Sequence, residues 1–214
     1  MAHGFLDDAA RTAFAGAIAA IESTSAAEVV VAVRVRARLW LHAHLVVGFA
    51  AAWLGLGFMI YSAHRFGLAA FLIDPVVAGA LAGAAVALSP ALVRALTPRA
   101  VRRRAVIEAA RATFYQRGVH HTAGRTGVLV YIALTERMAE LVGDDAVVRL
   151  IEPTAWARAC AAIDVAVGRG GAATAQALRA LAPLLAAALP RHVEDLNELP
   201  DAIDEGGEAP RPAP

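Results

Sequence analysis

A few short groups of residues carry side chains suited to chemistry. Asp144-Asp145 is a carboxylate pair after Gly143, and hard divalent cations such as calcium take oxygen ligands of this kind. The same pair suits a helix N-cap followed by a first-turn acid before Ala146–Ile151, which is the commoner use of such acids. Arg125, with Thr122 and Thr126, offers a guanidinium and two hydroxyls to an anion at the end of a strand. The three can equally satisfy loop backbone groups and pair with a carboxylate. His120-His121 supply imidazoles, yet adjacent residues of an extended chain point apart, and no third ligand stands at metal spacing. Glu136-Arg137 reads as a charged hairpin turn. Glu194, Asp195 and Glu198 put three acids within five positions, a solvated acidic segment by pattern and a chelating one by chemistry. Cys160 lies on an apolar helix face with no evident cationic neighbour and reads as core, not nucleophile.

Composition removes several classes of mechanism. All 20 basic residues are arginine, so a Walker-type phosphate lysine, a Schiff-base lysine and a Ser–Lys dyad are excluded together. One cysteine permits no intramolecular disulfide and no multi-cysteine metal centre. The formal net charge of +1 points to no nucleic-acid partner. Hydrophobic residues make up 58% of the chain and mean hydropathy is +0.55, high for a soluble domain.

The apolar excess is concentrated in two runs, Leu45–Tyr61 and Pro75–Leu96, each close to the roughly 20 residues that cross a bilayer as a helix. Trp40 and Tyr61 lie near the ends of the first run, where amphipathic rings favour the interface. Pro75 suits the first position of the second helix, with Asp74 before it. Arg34, Arg36 and Arg38 precede the first run, and Arg94, Arg99 and Arg102–Arg104 follow the second. Arg65 alone lies between. Arginine collects on the cytoplasmic side, so the pattern predicts two spans in the inner membrane with both termini cytoplasmic and the His64–Asp74 connector outside. The lipid bilayer is then one partner, and Arg99–Arg104 suits anionic headgroups. The N-terminal MAHGFLDDAARTAF has no basic stretch leading into an apolar run and is not read as a signal peptide.

The remaining residues read as one modest domain. Leu6, Ala10, Phe14, Ala17, Ile18 and Ile21 recur at helical spacing, with Asp7 and Asp8 at the start. Glu28–Arg36 is a valine-rich strand, Gly127–Leu134 an unbroken apolar one suited to the centre of a sheet, and Met138–Val142 a third. The short link at Thr135–Arg137 makes the last two antiparallel, whereas the long connection from the first makes that pair parallel. An Arg99–Arg117 helix capped by Gly118, a helix marked by Trp156–Val167 and a last helix Ala175–Leu189 closed by Pro190 complete the pattern. The predicted fold is α/β: a small mixed sheet flanked by helices, an α/β/α sandwich interrupted by a two-helix transmembrane hairpin. The divisions expected are 1–38 and 97–200 for the two parts of the α/β domain, 39–96 for the hairpin, and 201–214 for a disordered acidic, Pro/Gly-rich tail.

His121-Thr122, Arg125-Thr126-Gly127-Val128-Leu129, Glu136-Arg137 and Gly143-Asp144 occur in the order HT…RTGVLVYIALTERMAELVGD, with LPRHVEDLNEL further on. With the opening helix and the EVVVAV strand, this series resembles the TPM domain family. That family includes thylakoid-lumen proteins linked to photosystem repair and membrane-anchored bacterial proteins grouped as candidate phosphatases. The resemblance implies an α/β/α fold and, by carry-over from some members, acid phosphatase activity with divalent ions at loop carboxylates. The matching acids here are Asp7 or Asp8 and Asp144 or Asp145. The expected function is a membrane-anchored TPM-like module on the cytoplasmic face, an accessory or interaction component of an envelope-associated complex with other membrane or cytoplasmic-face proteins as partners. The alternative is a divalent-ion-dependent phosphatase of small phosphomonoesters, with Asp144 or Asp145 on the ion and Arg125 on the phosphate.

Overall fold

The computed structural model describes residues 2–191, 198–199 and 203–206. In chain order these form α1 (Ala2–Phe5), α2 (Asp8–Glu22), β1 (Glu28–Arg34), α3 (Leu41–Tyr61), α4 (Leu68–Ala85), α5 (Pro90–Leu96), α6 (Arg99–Gln116), β2 (Gly127–Ala133), β3 (Met138–Gly143), α7 (Asp145–Leu150), α8 (Pro153–Val167), α9 (Gly171–Arg179) and α10 (Ala182–Ala188). The chain divides into two compact units, Met1–Ala37 with Arg103–Pro214, and Arg38–Arg102.

The first unit is built on a three-stranded mixed sheet in the order β1-β2-β3. Glu28 to Arg34 pair in parallel with Gly127 to Ala133, and β3 returns antiparallel, Val128 opposite Gly143 and Ala133 opposite Met138. A side-chain period of two sends alternate residues of each strand to opposite faces. Val29, Val31, Val33, Val128, Val130, Ile132, Ala139 and Leu141 join one core with Phe14, Ile18 and Ile21 of α2, Ile163 of α8, Leu178 of α9 and Leu185 of α10. Val30, Ala32, Leu129, Tyr131 and Met138 join the other with Val106, Ala110 and Phe114 of α6. Apolar burial on both faces explains why β2 is apolar at every position.

Local signals set the ends of these elements. Asp7 is the N-cap of α2, its Oδ1 accepting from the Ala10 N–H at 2.7 Å. Glu152 caps α8 in the same way, accepting from the Thr154 and Ala155 N–H groups. The last predicted helix is two helices, α9 and α10, because Pro183 has no N–H for the preceding turn and instead opens the second. The β2–β3 link is a turn, but Glu136 is not a solvated member of it. It is 1% exposed, and its Oε2 accepts from the Ala37 N–H at 3.2 Å, while Arg137 takes a left-handed φ of +52° to close the turn.

The second unit contains the two long apolar helices, α3 and α4, packed on each other. Their contact is backbone to backbone: a Cβ on Gly79 would lie 2.7 Å from the Gly48 carbonyl oxygen. Only glycine permits that approach, and His44 Nδ1 completes the seam at 2.8 Å from the Gly83 carbonyl oxygen. The expected start of the second helix at Pro75 is corrected. The helix begins at Leu68, so Asp74 and Pro75 lie inside it and the connector shrinks to residues 62–67. Leu68–Ile73 is itself apolar and helix-compatible, and proline inside an apolar helix removes one hydrogen bond without ending the element. The same run stops earlier than expected: Val86–Leu88 tightens to a 3₁₀ turn, and Pro90 starts the separate helix α5.

Candidate functional site

The sequence candidates converge at the turn that feeds β2. Helix α6 ends at Gln116, and Gly118 just past it takes a left-handed φ of +67°, which matches its expected role as a cap. A 3₁₀ turn, Val119–His121, follows. Thr122 and Thr126 are both buried, and the Thr122 hydroxyl accepts from the Thr126 N–H at 2.9 Å, closing the loop between them. Arg125 takes a left-handed φ of +54° within that loop. The next residue must be glycine because a Cβ on Gly127 would lie 2.0 Å from the Val119 carbonyl oxygen.

Gly143 and Asp144 arrive beside this loop from β3. The Asp144 N–H donates to the Gly127 carbonyl at 2.9 Å, and the Ala146 N–H to the Arg125 carbonyl at 3.1 Å. Asp144 is the N-cap of α7, and its Oδ1 accepts from the Asp145 N–H at 2.8 Å. Its Oδ2 is buried and has no hydrogen-bond partner, 3.6 Å from Arg125 Nε. Arg125 reaches it from an exposed position, with Nη1 donating to the His120 carbonyl at 2.9 Å. A guanidinium thus faces a carboxylate oxygen at ion-pair distance without a direct bond, at the mouth of a loop lined by two threonines.

Asp144, Arg125, Thr122 and Thr126 therefore share one site. Asp145 does not join it. Its side chain is 64% exposed and lies 3.6 Å from Arg149 one turn along α7. The Asp7 carboxylate is engaged in capping α2. His120 and His121 lie with ring centroids 3.9 Å apart and planes tilted at 54°, and His120 packs at 5.1 Å from the Tyr115 ring with a buried, unpartnered Nδ1. Glu198 Oε2 accepts from the Ala123 N–H at 2.9 Å, tying the later chain to the same loop. Glu194 and Asp195 lie outside the described residues. Among the described residues, no three His, Cys, Asp or Glu side chains gather as a metal-binding group. A divalent ion at this loop would take one protein carboxylate, Asp144, and complete its shell with carbonyl oxygens and water.

Two charged clusters lay beyond sequence reasoning. Arg103 bridges Glu140 at 2.5 Å and Asp164 at 3.4 Å, and its Nη1 donates to the Ala139 carbonyl. Burial raises the Glu140 carboxyl above its ordinary range, with Arg103 and Arg111 opposing that rise. Burial, aided by Glu140, likewise raises the Cys160 thiol. The second cluster joins Arg34, Arg117 and Asp204. No local spacing announces either set, since their members are 24 to 170 positions apart.

No family model matches the chain, and no curated protein matches it. Among solved structures it is similar to the NMR structure of BA42 protein from the psychrophilic bacteria Bizionia argentinensis sp. nov. The match has 16% sequence identity and a TM-score of 0.56, and covers 94% of this chain and 96% of that one. Identity at that level makes the likeness one of fold alone.

Proposed function

We propose that the chain is a membrane-anchored TPM-like α/β module. In this reading it is held by a transmembrane hairpin with both termini and the α/β domain on the cytoplasmic side of the inner membrane, and it serves an envelope-associated assembly as an interaction component. The observation that carries the proposal is the outward apolar surface of α3 and α4. Trp53 is 71% exposed, Leu54 76% and Leu72 75%, and apart from His42, His44 and Asp74 both helices carry almost wholly apolar residues. Water would not tolerate so large a continuous apolar patch, whereas lipid would. Each candidate span is 21 residues, about 31 Å of helix, which matches the hydrocarbon core. Asp74 is the one exposed acid in either span and lies about two turns, roughly 9 Å, from the connector, a depth at which a carboxylate is costly in lipid and calls for water or a polar partner. The arginine distribution supports the orientation.

Resistance to carbonate extraction tests the spans, and release without detergent would refute them. In a Cys160→Ser background, Ala63→Cys in the connector is expected to react with an impermeant thiol reagent in intact cells. Ala2→Cys and Ala209→Cys should react only after lysis, and the reverse pattern would place the domain outside. Affinity capture at native expression under mild detergent tests the assembly: recovery of the chain alone would count against it.

The alternative is a divalent-ion-dependent phosphatase, favoured by the buried, unpartnered Asp144 Oδ2 facing Arg125. An ion held there would polarise a phosphoryl oxygen, with Arg125 binding the phosphate. Hydrolysis of an aryl phosphate, lost in Asp144→Asn and on chelation, supports this alternative. Activity indifferent to both changes removes it.

A further inference from the structure

We propose that the outer edge of β1 is a docking site for an extended acidic segment of a partner protein, and that residues 203–206 of the chain itself occupy it in cis. This rests on the interaction reading above and names the kind of partner. Edge strands present unpaired backbone groups to any extended chain. At the other edge of this sheet, side chains fill that role: the Ala139 N–H donates to Asp164 Oδ1 at 2.9 Å, and its carbonyl accepts from Arg103. At β1 a segment of backbone does so. The Asp204 N–H donates to the Val31 carbonyl at 2.8 Å, and the Val33 N–H donates to the Asp204 carbonyl at 2.8 Å. Ala32 and Asp204 form a parallel bridge of one residue.

The side chains at that bridge define what the edge reads. Arg117 grips the Asp204 carboxylate with two bonds, Nε at 2.6 Å from Oδ2 and Nη2 at 2.7 Å from Oδ1. Arg34 adds Nη2 at 2.5 Å from Oδ2, and its Nη1 donates to the Asp204 carbonyl at 2.6 Å. Both guanidiniums belong to the body of the domain, and all three side chains are largely shielded from water. Two guanidiniums held around one point favour an anion there, and the bidentate fork fits the planar carboxylate of Asp204. Ile203, the preceding residue, packs against the core on the opposite face of the sheet. Arg11 pairs with Glu205 at the surface. The edge thus reads an apolar residue followed by an acid in an extended chain, with backbone bonds adding affinity. Pairing ends at once: Gly206 turns away with a left-handed φ of +94°. A one-residue bridge is short enough for a competing strand to displace.

The test is fluorescence anisotropy with a labelled peptide, DAIDEGG, on the full-length protein in detergent micelles. Asp204→Pro removes both the N–H and the carboxylate of the internal occupant, and Asp204→Arg repels it. Either variant is expected to bind the peptide about 10-fold more tightly than the wild type, because a tethered occupant competes at roughly millimolar effective concentration. Binding should vanish when the second aspartate of the peptide is replaced by asparagine, or when Arg34→Ala and Arg117→Ala are combined with Asp204→Pro. Amide exchange at Ile132 reports whether each variant is folded. Equal affinity for wild type and folded variants, no binding to either, or binding that survives the asparagine peptide overturns the proposal. Should neither variant fold, excess peptide on the wild type decides: the Asp204 amide must lose protection while Val33 keeps it, and no change overturns the proposal. Failure here leaves the fractionation and labelling results untouched, so the two readings fall separately.

Discussion

Gly79→Ala probes the contact on which the second unit depends. The added methyl would lie 2.7 Å from the Gly48 carbonyl oxygen and 3.0 Å from the Ala52 Cβ. A backbone carbonyl cannot rotate aside as a side chain can, so the helices must separate by about 0.7 Å to restore ordinary contact. That movement also strains the bond between His44 and the Gly83 carbonyl, now 2.8 Å. Overpacking of this kind costs about 1–3 kcal/mol, against which alanine in place of helical glycine returns up to about 1 kcal/mol. The expected net loss is about 0–2 kcal/mol against the wild type and about 1–3 kcal/mol against an unhindered glycine-to-alanine control. Gly57 is the control, because a Cβ there meets nothing within 4 Å. With Trp156→Phe in the background, emission comes only from Trp40 and Trp53, both in the second unit. Unfolding by SDS in mixed micelles should then occur at lower detergent fraction for Gly79→Ala and at an equal or higher one for Gly57→Ala. If Gly79→Ala were as stable as Gly57→Ala, the backbone contact would not be what limits the packing of these helices.

Three further outcomes follow from the first unit. Asp144→Ala should lower stability to denaturant by about 1 kcal/mol through loss of the α7 cap, whereas Asp144→Asn should stay within a few tenths; equal losses would make the charge facing Arg125 the larger contribution. Glu140 has a folded pKa raised above its ordinary 4.5, chiefly by burial, so its contribution is fully present below that value and is lost as pH rises through the folded pKa. Glu140→Gln should therefore flatten the decline in urea midpoint above pH 4.5, and an unchanged slope would refute the assignment. Cys160, whose thiol is raised by burial and by Glu140, should be alkylated at neutral pH at least about 10-fold faster after denaturation than before.

The sequence by itself determined the elements whose signals are local. The valine-rich run Glu28–Arg36 and the unbroken apolar run Gly127–Leu134 marked strands, which the structure forms over Glu28–Arg34 and Gly127–Ala133, and connection lengths gave their parallel and antiparallel pairing. Two long apolar helices were legible for the same reason: length and composition are properties of a contiguous stretch. Their limits were less so. Pro75 looked like a start because proline favours a first turn, yet the apolar residues before it continue the helix through it. At the candidate site the residue types were legible and their partners were not. Asp144 and Arg125 stand 19 positions apart and meet only because β2 and β3 pair in a register that sets Val128 opposite Gly143. Glu136 read as part of a charged hairpin turn, and its burial was not legible because the backbone N–H that it meets comes from the segment after β1. Asp204 carried no sign of its role, because what gives a short acidic segment its place is the open edge of a distant strand and two arginines from separate elements. Periodicity encodes which face of an element is buried; which charges meet depends on chain closure over long separations, and only the tertiary structure decides that.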